Sequence, residues 1–141
     1  MGLRLPVGDV TVLLGPAGAR RGVMSALDDA SGRCASGHAS VHVHRLAARD
    51  GDGLHQRLEA VEAAAGQGAT IVLVDRLTDG LAAPDRRRLL AALRPVATAG
   101  RAVLVDDADP VAALAVADAA LRADPAGGLT PEPLGADLPA S

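Results

Sequence analysis

The chain has 141 residues, 49% of them hydrophobic, with a formal charge of −3, one cysteine and no Phe, Tyr or Trp. That length holds a single core, which has to be aliphatic, and the missing rings remove the stacking surfaces on which RNA and single strands are read. The lone Cys34 excludes an internal disulfide framework, and the charge points to no partner class; nucleic acid is not expected as a partner.

In chain order, Val10 to Leu14 is a continuous apolar run ended by Gly15, the mark of a strand buried on both faces. A Gly-Pro-Ala-Gly turn follows and then a helix to Leu27. From Ala39 to Leu46 the pattern alternates, with Val41 and Val43 opposite Ser40, His42 and His44, which predicts an edge or antiparallel strand. Leu54, Leu58, Val61 and Ala65 share one helical face, and Ile71 to Val74 is a second buried strand stopping at Asp75. After a Pro84-Asp85 start, Leu89, Leu90, Leu93, Val96 and Ala97 share another helical face; Ala102 to Val105 is a third strand, ended by Asp106 and Asp107. Val111, Leu114, Ala117 and Leu121 predict a helix from Pro110 to Arg122. The expected organisation is one α/β domain over residues 1–123, with a parallel sheet, and a mobile Pro/Gly-rich tail over 124–141. No apolar run is long enough to span a bilayer and no secretory leader is visible, so a cytoplasmic protein without direct membrane insertion is expected.

Charge placement raises a specific expectation. Arg20 and Arg21 stand at the positive end of the first helix and Asp28 and Asp29 near its negative end, each unfavourable by roughly 0.3–1 kcal/mol if exposed. In a parallel sheet the strand ends carrying Asp75 and Asp106 share an edge with that helix start, so Arg21, or failing it Arg20, is expected to pair with one of these aspartates. Cys34, His38, His42 and His44 have the ligand types of a zinc site. They lack a carboxylate or a paired C-x-x-C, and a polar strand face is the better reading; no metal is expected. Ser25 and Ser31 have no base at recognisable spacing.

The order LPVGDVTVLLGPAGA, ASGHASVHVHRL, ATIVLVDRLTDGLAAPDRRRLLAAL and GRAVLVDDADPVAALAVADAALRAD resembles the nucleotide-binding domain of ATP-binding cassette (ABC) transporters up to about Asp124. The resemblance implies a P-loop NTPase-like sheet flanked by helices and lacking most of the helical subdomain. It makes Gly15, Pro16, Ala17, Gly18, Ala19, Arg20, Arg21 and Gly22 the Walker-A-like candidates for nucleotide or anion binding. Asp75 is Walker-B-like, and Asp79 falls in the D-loop-like TDGL.

The departures fall on the chemistry. Arg20 stands for the glycine of close phosphate approach, Arg21 for the phosphate-binding lysine and Gly22 for the Mg²⁺-binding hydroxyl. Arg76 stands for the catalytic glutamate and Ala108 for the switch histidine, and GDGLHQRL resembles only the end of the LSGGQ segment. Phosphoryl transfer depends on positioning and charge neutralisation, so these losses together predict no hydrolysis and no catalytic residue. The expected protein is a pseudo-ATPase that serves as a regulatory or structural partner of a transporter membrane subunit or a competent ATPase, membrane-associated only through that partner. The alternative is a subunit that binds or hydrolyses ATP weakly and needs a partner to complete its site.

Overall fold

The structure is a computed structural model that describes residues 5, 7–30, 43–66, 70–132 and 134, with the side chains of 28–30 set aside. Cys34, His38, His42 and Ser31, with the first half of the alternating stretch, lie outside the described residues.

One six-stranded sheet organises the chain: β1 (Val10–Leu14), β2 (Val43–Ala47), β3 (Ile71–Asp75), β4 (Ala102–Asp106), β5 (Ala119–Ala123) and β6 (Leu129–Glu132), in the spatial order β2-β3-β4-β1-β5-β6. The first five strands pair parallel and β6 runs antiparallel to β5. Helices α1 (Ala17–Ala30), α2 (Leu54–Ala65), α3 (Ala83–Ala91), α4 (Leu93–Thr98) and α5 (Pro110–Leu114) make the crossovers. After β1 the chain crosses to the far edge and then steps back through β2, β3 and β4 before passing over β1 to β5. Right-handed crossovers in opposite directions put their helices on opposite faces.

The packing follows that rule. On one face Val10, Val12, Val72, Val74, Val103 and Val105 meet Val61 and Ala64 of α2, Leu89 and Leu90 of α3, and Leu93 and Val96 of α4. On the other, Leu13, Leu73 and Leu104 meet Val23 and Met24 of α1. The Val/Leu runs are therefore continuous in sequence because both sheet faces are covered, and the core is aliphatic throughout.

The alternating stretch is an edge strand, as expected, and β2 pairs parallel with β3. Two elements differ from the sequence expectation. The expected helix from Pro110 to Arg122 stops at Leu114, and Ala119–Ala123 is a strand beside β1. Asp109 caps the short helix by accepting from the Ala112 N–H at 3.1 Å, and the Asp118 carboxylate accepts the Val10 N–H at 2.9 Å, joining the new strand to the sheet. Residues 129–132, expected in a mobile tail, form β6. The Asp-Pro-Ala-Gly-Gly segment is a hairpin turn: Asp124 Oδ1 accepts from the Ala126 and Gly128 N–H groups, and Gly127 takes the left-handed φ of 93° that closes it. In residues 124–128 the Pro and Gly residues form a turn.

Candidate functional site

The register of β3 on β4 sets Asp75 directly opposite Asp106, both on the α1 side of the sheet with Leu73 and Leu104. Adjacent carboxylates repel unless cations stand between them. The first turns of α1 supply those cations. Arg20 Nη1 donates to Asp106 Oδ1 at 2.5 Å and to the Asp107 carbonyl at 3.0 Å, while its Nε donates to the Gly15 carbonyl at 3.1 Å. Arg21 Nη1 donates to Asp75 Oδ1 at 2.8 Å. Arg21 thus forms the expected pair, and Arg20, named only as its substitute, forms one as well. They differ in depth, since the Arg20 side chain is 16% exposed and that of Arg21 is 44% exposed.

The helix phase decides which arginine goes where. Gly15 ends β1 and Pro16 follows, and α1 begins at Ala17, where the Arg20 N–H donates to the Pro16 carbonyl at 3.0 Å. Ala17, Gly18, Ala19, Arg20, Arg21 and Gly22 are therefore helical residues and not an extended loop. Of Gly15, Gly18 and Gly22, Gly15 alone is sterically required: it holds φ 113°, and a β-carbon there would collide with the Ala123 carbonyl oxygen. Gly18 and Gly22 face open space. Asp79 lies in the turn after β3, 3.9 Å from Arg76 Nε.

Asp106 is 1% exposed, and burial pushes its carboxyl above the ordinary aspartate value. The Arg20 charge and hydrogen bond pull the other way without cancelling that effect, and the Asp75 charge adds to it.

Sequence reasoning missed further arginines of this edge. Arg45 of β2 pairs with Asp75 Oδ2 and also donates to the Met24 carbonyl at 2.7 Å, tying the edge strand to α1. On the opposite face Thr78 Oγ1 donates to Asp107 Oδ1 at 2.5 Å, both residues buried, and Arg86 Nε of α3 donates to that threonine at 3.0 Å. Arg57 of α2 donates to the carbonyls of Asp52, Leu77 and Asp79. Alternation and helical spacing single out apolar faces, so basic residues on these elements read as solvated.

Two clefts open at the carboxyl edge. One of about 340 Å³ lies between the ends of β2 and β3 and is lined by Arg49, Arg57, Asp75, Arg76 and Asp79 among others. The other, about 470 Å³, lies beside Gly15, Pro16, Arg20, Pro110 and Arg122. The Walker-like residues do not fit a Mg²⁺–polyphosphate in this arrangement. No extended loop precedes the helix, Gly22 has no hydroxyl, and Asp75 already carries the Arg21 and Arg45 guanidinium groups. Among the described residues no His/Cys/Asp/Glu group is placed to hold a metal, and no helix is long and apolar enough to cross a membrane. No protein-family model and no curated protein matches the chain.

Proposed function

We propose that this chain is a pseudo-ATPase of ABC nucleotide-binding-domain type, and that it acts by binding a protein partner, either a transporter membrane subunit or a competent ATPase. The observation that carries this reading is the pair of arginines seated on Asp106 and Asp75. They stand where the ABC resemblance calls for the glycine of close phosphate approach and the phosphate-binding lysine, and they are held by the protein's own carboxylates. A parallel sheet with strand ends and a helix start meeting at one edge suits a domain of nucleotide-binding descent. Retaining that scaffold while closing the site favours a structural task over a chemical one.

A steady-state phosphate-release assay on the isolated chain is expected to give no Mg²⁺-dependent ATP turnover. Turnover that vanishes in Asp75→Asn would overturn the reading and put the weak ATPase subunit in its place. Co-purification with a multi-span membrane protein encoded beside it tests the partner half. Failure of such a pair to associate, when both are folded, would remove the transporter subunit as the partner.

A further inference from the structure

Arg57 is the one buried basic residue among those described, with 7% exposure. Its guanidinium makes four hydrogen bonds, all to backbone carbonyls: Asp52 at 3.2 and 2.8 Å, Leu77 at 2.9 Å and Asp79 at 2.5 Å. No carboxylate among the described residues lies within ion-pair distance of it, in contrast to Arg20, Arg21, Arg45 and Arg86. A cation taken out of water is costly unless countercharged, and carbonyl dipoles answer it only in part. An arginine also has five N–H donors, so one remains unused here.

Arg57 lines the cleft of about 340 Å³, together with Arg49 and Arg76. Arg76 is half-exposed and held at φ 51°, a left-handed conformation that costs a non-glycine residue about 1 kcal/mol. The carboxylates in the wall are not equivalent. Asp75 is neutralised by Arg21 and Arg45, whereas Asp50 is exposed and Asp79 is half-exposed with only a loose ion pair, Oδ2 at 3.9 Å from Arg76 Nε, which itself lies 3.8 Å from Asp75 Oδ1; a hydroxyl donor can reach both of these outer carboxylates. Ala47 and Ala48 are the small apolar part of the lining, and no aromatic ring is present to stack a base.

We propose that this cleft binds a small phosphate monoester that carries hydroxyl groups, with the phosphate on the Arg57, Arg76 and Arg49 guanidinium groups and the hydroxyls on Asp50 and Asp79. Planar guanidinium forks suit phosphate oxygens, and a carboxylate that would repel a bare phosphate accepts a hydroxyl of the same molecule. The site needs neither ATP nor a protein partner, and Arg20 and Arg21 do not line it. Its success or failure therefore leaves the pseudo-ATPase reading untouched.

Calorimetry and amide chemical-shift titration of the intact chain with glycerol 3-phosphate, inorganic phosphate and glycerol test the assignment. Glycerol 3-phosphate is expected to bind more tightly than phosphate, to shift amides in 49–52 and 76–79, and to lose about tenfold in affinity in Arg76→Ala but not in Arg87→Ala. Arg76→Ala leaves folding intact because the side chain is half-exposed, and a thermal melt of that variant checks this. Asp79→Asn is expected to weaken the monoester and not inorganic phosphate. Absence of binding at about 10 mM overturns the proposal. So does inorganic phosphate that binds as well as the monoester, or binding lost in Arg21→Ala and kept in Arg76→Ala, which would assign the anion to α1.

Discussion

Asp106 and Asp75 are cross-strand neighbours with unequal surroundings, and the inequality has measurable consequences. The Arg20–Asp106 pair is nearly enclosed, so Arg20→Ala strands a buried carboxylate and is expected to cost about 3 kcal/mol in urea unfolding followed by circular dichroism. Arg21 is open to water and Asp75 keeps Arg45, so Arg21→Ala is expected to cost less than about 1 kcal/mol. An equal loss from both would contradict this ranking. The pH response has a definite sign. Because burial raises the Asp106 carboxyl in the folded state, that state holds its proton at pH values where the unfolded chain, near the ordinary 3.8, has released it. The contribution of this group to stability is full below 3.8 and falls as pH rises through the raised folded value. Wild type is therefore expected to gain on Asp106→Asn as pH is lowered through that window, and a constant difference across it would show that Asp106 is not perturbed. That arginines meet aspartates at this edge was legible from strand ends and helix start alone. Which arginine is buried was not, because it depends on α1 starting at Ala17, and Arg45 gave no signal because a polar residue on an edge strand is ordinarily solvated.

The glycines of α1 separate two pictures of its start. Gly18 and Gly22 are helical and have free space around them, so Gly18→Ala and Gly22→Ala should each raise stability by about 0.5–1 kcal/mol. Gly15→Ala should lower it by more than about 2 kcal/mol, since both its φ and the Ala123 carbonyl oppose a side chain. Thermal melts of the three variants give the comparison; a destabilising Gly18→Ala would mean that 17–20 is not helical. β5 eluded sequence reading for a physical reason. In ALAVADAAL the small apolar residues satisfy helical and strand spacing equally, and only long-range pairing with β1 chooses the strand. The buried strands β1, β3 and β4 were legible because coverage of both sheet faces leaves them only Thr11 and the terminal Asp75 and Asp106 as polar positions.

Across the whole molecule, the last described segment belongs to the sheet and to both cores. Leu129 packs with the α1-side cluster and Leu134 with the opposite one, and Arg122 pairs with Glu132 across the hairpin. Deleting residues 129–141 is therefore expected to cost about 2 kcal/mol or more, read as a lowered urea midpoint. An unchanged midpoint would return the segment to the status of a tail. The central place of β1 also governs how the chain reaches this structure. Val10 pairs with Val103, and Thr11 with Leu104 and Ala119, so β1 finds its partners only after β2 and β3 have been made. Until then an apolar strand with two open edges waits for its neighbours. Such non-local pairing makes folding slow and leaves the nascent chain open to misassociation, so a ribosome-bound holdase would have more to do for this protein than for a helical bundle of equal length.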